Sequence, residues 1–110
     1  FYKRYKHGEA IAIGMVSAAC IGETMGDTPT HVSADIQMAC YTMGLPTALP
    51  TDIPDDALIA LLARDKKAEN GAARFVLARA LGDVQTGVAV DEATIRAGLT
   101  LHRTRYPARK

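Results

Sequence analysis

The chain has 110 residues, 48% of them apolar and 23% charged, the balance of one ordinary globular domain with a modest core, which excludes a disordered chain. Thirteen Lys and Arg against twelve Asp and Glu leave a net charge of +1, too little for the positive field on which nucleic-acid binding depends, so no nucleic-acid partner is expected. The uncharged run from Ala10 to Gly22 is too short and too rich in Ala and Gly to span a bilayer, and Cys20 and Cys40 lack the Cys-x-x-Cys spacing of a zinc knuckle or redox pair, so a reducing, cytoplasmic setting without a membrane role is expected.

The first predicted helix starts near Gly8 and runs to about Met25, with Glu9 in its first turn, where a negative charge complements the helix dipole, and Gly26 ending it. Its apolar residues surround the axis, so it is expected at the centre of a bundle. Thr30 is a candidate cap for a second helix carrying Val32, Ile36, Ala39, Cys40 and Met43, stopped by Gly44 and Pro46. Asp52, with Pro54 just inside, announces a third helix bearing Leu58, Leu61 and Leu62 and closing on Arg64-Asp65-Lys66-Lys67. Residues 73–90 pull two ways: Ala, Leu and Arg favour helix over 73–81, whereas Phe75-Val76-Leu77, the Gly82-Asp83 turn and the Val-rich stretch after it favour a short hairpin. The hairpin is the preferred reading. Asp91 then caps a last helix through Ile95, Leu99 and Leu101, and a frayed tail is expected over 103–110. The fold class is mainly α, a bundle-like domain with a short β-hairpin.

Few residues suggest chemistry on spacing alone. His7, at the mouth of the apolar helix, could be a metal ligand or proton carrier, but with no second ligand nearby the plainer reading is a surface histidine beside Lys6. Glu9 needs no role beyond its place in a first turn. Lys66 and Lys67 suit a helix C-terminus and could also reach a phosphate, the solvated helix end being preferred. His31 and His102 have no carboxylate or cysteine at ligand spacing and read as surface residues; Cys20 and Cys40 read as small core residues.

The block from His7 to Val16, His-Gly-Glu-Ala-Ile-Ala-Ile-Gly-Met-Val, resembles the signature of the 3-dehydroquinate synthase family of sugar phosphate cyclases. Gly44 to Pro50, Arg64 to Val84 and the closing helix follow in that family's order. The resemblance implies an enzyme that cyclises a seven-carbon sugar acid phosphate to 3-dehydroquinate in aromatic biosynthesis, with bound NAD and a divalent metal, zinc or cobalt. It implies an N-terminal NAD-binding domain and a mostly helical C-terminal domain, of which residues 1–110 resemble only the latter part. His7 falls on a metal-binding histidine of the family, and Lys66 and Lys67 fall on its Asp-Lys-Lys segment, one lysine of which contacts substrate; no catalytic residue is carried over. The glycine-rich dinucleotide loop, an upstream histidine motif and the metal-binding carboxylate are missing from the sequence. A chain opening on Phe1 is therefore expected to be a fragment, inactive alone, retaining neither NAD nor metal tightly, and pairing as a homodimer. Another sugar phosphate cyclase and a non-catalytic helical interaction module remain the alternatives.

Overall fold

The computed structural model describes residues 6–64, 73–80 and 83–107. Four helices, α1 (His7–Met25), α2 (Thr30–Thr42), α3 (Asp55–Arg64) and α4 (Glu92–Arg105), accompany an antiparallel hairpin of β1 (Ala73–Ala80) and β2 (Asp83–Val90). The fold is thus mainly helical, and 73–80 pairs with 83–90 as the preferred hairpin reading expects, Gly82 of the expected turn lying outside the described residues.

Helix α1 starts where its capping chemistry dictates. The Glu9 carboxylate accepts the backbone N–H of Lys6 at 3.0 Å, and Lys6 is extended (φ −64°, ψ 157°), so the chain enters the helix with that donor satisfied. At the other end Gly26 takes φ 81°, the left-handed conformation that a side chain disfavours, while its N–H and those of Asp27 and Thr28 cover the last carbonyls. Thr30 turns out to be the first residue of α2, not its cap: the Pro29 carbonyl accepts from Val32 and Ser33, and no side chain caps the helix. The third helix likewise begins later than Asp52, because the Pro54 carbonyl receives Ala57 and Leu58, leaving Asp55 and Asp56 in the first turn. Asp91 caps α4 as expected, accepting the Thr94 N–H at 2.8 Å; that bond to the ionised carboxylate lowers its pKa.

Helix α1 packs against α2, α4 and β1, which makes it the central element. Ile13 and Ile21 from α1 join Leu49, Leu58, Val90, Ile95 and Leu99 in one core, and burying each such Leu or Ile side chain contributes about 1.5–3 kcal/mol. The helix is not buried all round, however. Ile11 (46% exposed) and Met15 (48%) form an open apolar stripe that ends on half-buried Ala18. In the hairpin the pairing runs Ala73–Val90 to Phe75–Val88, then slips by one residue, so that Thr86 and Gly87 together face Val76. A glycine in a strand suits such a bulge.

The crossing of α1 and α4 is unusually close. A Cβ placed on Gly98 would lie 2.7 Å from Ile21 Cα, so backbone, not a flexible side-chain tip, blocks it. Gly98→Ala gains about 1 kcal/mol of helix propensity but overpacks a contact that costs about 1–3 kcal/mol and requires the helices to separate. The expected outcome is a net loss of up to about 2 kcal/mol, read as a lower urea midpoint at unchanged slope.

Of the tail expected over 103–110, residues 103–105 belong to helix α4, and 108–110 lie outside the described residues. Helix α4 continues through Arg105, and Arg103 anchors it: Nε donates to Asp55 Oδ1 (2.8 Å), Nη1 to the Pro50 carbonyl (2.8 Å) and Nη2 to the Ile53 carbonyl (2.7 Å). Arg105 donates to both oxygens of Glu23, at 2.8 and 2.6 Å, tying the end of α4 to α1.

Candidate functional site

His7 is the first residue of α1, directly behind the Lys6–Glu9 bond. That bond gives one oxygen of the Glu9 carboxylate a structural task at the helix start. Lys66 and Lys67, the predicted substrate contacts, lie outside the described residues. Among the described residues no three His, Cys, Asp or Glu side chains stand together as metal ligands, and no helix is long and apolar enough to cross a membrane.

The best-formed polar cluster lies elsewhere and was misread from sequence. His102, expected at the surface, is 0% exposed. Its Nε2 stands 2.6 Å from the Thr47 carbonyl, which can only accept, so Nε2 carries the proton; Nδ1, 2.8 Å from Ser17 Oγ, then accepts from the hydroxyl. Burial lowers the His102 pKa, against the Thr47 bond that supports the charged form, and the Arg103 guanidinium lowers it further, so the ring is neutral at pH 7. Gln37 Nε2 donates to Thr47 Oγ1 at 3.2 Å, bringing α2 to the same segment. A signal for this burial was available: Ile95, Leu99 and His102 share one helical face. His31, by contrast, is exposed, as expected.

Two adjoining surface hollows flank Arg103, one of about 410 Å3 beside Thr51, Asp55, Asp56 and Arg96, the other of about 230 Å3 beside Leu49, Tyr106 and Pro107. Arg103 spends three donors on the protein, and Arg96 binds Asp56 (2.6 Å) and Glu92 (2.9 Å), so the nearby guanidiniums serve the fold first. Both cysteines are buried and free. Burial, with the Glu23 charge, pushes Cys20 up to about 11, and burial also raises Cys40; neither is a thiolate nucleophile at neutral pH.

The model of the 3-dehydroquinate synthase C-terminal family matches residues 1–68, a span that holds His7 at its head and Lys66 and Lys67 at its end. The chain belongs to this family. It is similar to the 3-dehydroquinate synthase of Caulobacter vibrioides, 40% identical over 103 residues that make up 90% of this chain and 28% of that protein. The 3-dehydroquinate synthase of Paracoccus denitrificans is 40% identical over 108 residues, 91% of this chain and 28% of its own, and that of Xylella fastidiosa (strain M12) 38% over 90 residues, 82% and 24%. The chain therefore spans about a quarter of the length of the curated relatives it matches. A helical C-terminal family domain accords with the four helices and hairpin described above.

Proposed function

We propose that this chain is the C-terminal part of a 3-dehydroquinate synthase, a cytoplasmic lyase of the shikimate pathway that cyclises a seven-carbon sugar acid phosphate with release of phosphate. The observation that carries this reading is similarity across 82 to 91% of the chain to proteins bearing that name, beside a family match over residues 1–68 that covers the His7–Val16 block at the head of the central helix.

The described residues do not by themselves fit a catalytic metal, because no three donors cluster among them and Glu9 already serves the helix start. His7 is one ligand of a set completed by the part of the relatives' length that this chain does not span, and NAD is held there as well. The metal, when bound, supplies Lewis-acid polarisation of a substrate hydroxyl. This chain contributes His7 as a ligand and Lys66 or Lys67 as a cation holding a substrate oxyanion. On its own it is inactive. The open stripe of Ile11 and Met15 supports a homodimer or a contact with the remainder of the enzyme, since an apolar patch at that density favours a partner over water.

The test is an assay of the complete protein for phosphate release and 3-dehydroquinate formation. In that background Lys66→Ala and Lys67→Ala, made separately, are expected to differ, one lowering kcat/KM by about a hundredfold or more, equivalent to about 3 kcal/mol, and the other by a small factor. Equal, small effects would remove both lysines from the substrate site, and full activity only with other sugar phosphates would reassign the enzyme to another cyclase.

A further inference from the structure

Helix α1 packs against α2, α4 and β1 through buried residues such as Ala12, Ile13, Val16 and Cys20, yet one of its faces stays open. Ile11, Gly14, Met15 and Ala18 recur there at the i, i+3, i+4, i+7 spacing of a single helical side, and Gly8 extends it toward the helix start. Ile11 and Met15 are about half exposed, Gly8 and Gly14 are exposed, and no charge falls between Ala10 and Gly22. Such a face favours an apolar neighbour over water.

Gly14 supplies a second observation. Glycine in a helix interior is destabilising relative to alanine, and among the described residues nothing lies within 4 Å of a Cβ placed at Gly14. The described part of the chain therefore gives no reason for a glycine at that point. The same helix shows what glycine does at a close crossing, since a Cβ on Gly98 would meet the Ile21 backbone. A backbone approaching from beyond these residues accounts for Gly14 in the same way. We infer that a helix from the remainder of the 3-dehydroquinate synthase polypeptide crosses α1 at Gly14 and covers Ile11, Met15 and Ala18.

Length and area identify the occupant. The stretch shared with the Caulobacter vibrioides synthase is 28% of that protein, so most of a full-length relative lies outside it. A second copy fits the face less well: the side from Gly8 to Ala18 presents five residues, against about 20–30 a side in a stable interface between separate molecules. A segment of the same polypeptide needs no such area, because the covalent connection replaces the cost of association. The face also offers no polar side chain to a neighbour's backbone, so the covering element must pair its own N–H and C=O groups, as a helix does. This assignment of the occupant rests on the reading above, that the chain is the C-terminal part of a longer synthase.

The test is made on the complete protein grown with photo-methionine, whose diazirine joins its immediate neighbours on illumination, with the joined peptides read by mass spectrometry. The expected result is a link from the Met15 peptide to a peptide outside the 110 residues, in a product that runs at the mass of one chain on a denaturing gel. A Met15 link found only in dimer-mass product would assign the face to a second copy. A link back into the 110 residues would place the cover within this stretch, and reaction with water alone would leave the face open; each of these three outcomes overturns the inference. Gly14→Ala gives an independent reading. It is expected to lower the thermal midpoint of the complete protein, whereas alanine at an open helix position raises it, so a raised or unchanged midpoint also overturns the crossing. Phosphate release by the unsubstituted protein separates the two readings. The Met15 link without that activity counts against the enzymatic reading alone, and activity without the link counts against the crossing alone.

Discussion

If His7 is the metal ligand proposed above, His7→Ala in the complete protein is expected to lower kcat/KM by at least about a thousandfold, or about 4 kcal/mol of transition-state stabilisation, because a metal held by three protein ligands loses both affinity and orientation when one is removed. The fold is expected to tolerate the change. His7 is the first residue of α1, where the backbone N–H has no intrahelical partner to lose, and the Glu9–Lys6 bond closes the helix start without it. Thermal unfolding of the metal-free variant within a degree or two of the metal-free parent, together with the loss of turnover, is the expected pair of results. Retained turnover would take His7 out of the site.

His102→Ala is expected to have the largest effect on stability, about 3 kcal/mol at pH 7.5. Two costs add there. Deleting a fully buried ring leaves a cavity, and it also strands the Thr47 carbonyl and the Ser17 hydroxyl, each unsatisfied buried group costing about 1–3 kcal/mol unless water enters. Urea unfolding of the variant against the parent measures it, and a change under about 1 kcal/mol would show that the cluster contributes little.

What the sequence disclosed depended on how local each cause is. The start of α1 and the Asp91 cap were legible because their chemistry sits within three residues, Lys6 to Glu9 and Asp91 to Thr94. The starts of α2 and α3 slipped because proline carbonyls, not the Thr30 or Asp52 side chains, receive the first amides. The hairpin was ambiguous because residues such as Ala73 and Arg74 suit a helix and become strand only through pairing with Val90 and Ala89. His102 was misread because a histidine on an apolar face is buried only if distant partners satisfy both nitrogens, and Ser17 and Thr47 lie 85 and 55 residues away. Gly98 carried no signal at all, since its reason is the backbone of Ile21. The metal role proposed for His7 rests on resemblance alone, because one histidine without a second ligand at metal spacing in the sequence specifies no metal site.

The most direct measurement of the central claim is zinc affinity by equilibrium dialysis, run on the 110-residue chain, on the complete protein and on its His7→Ala form. The account predicts one stoichiometric site in the complete protein, its loss in the variant, and no site tighter than about 1 μM, or about 8 kcal/mol, in the 110-residue chain. A stoichiometric sub-micromolar site on the chain alone, or undiminished zinc binding by the His7→Ala enzyme, would contradict it.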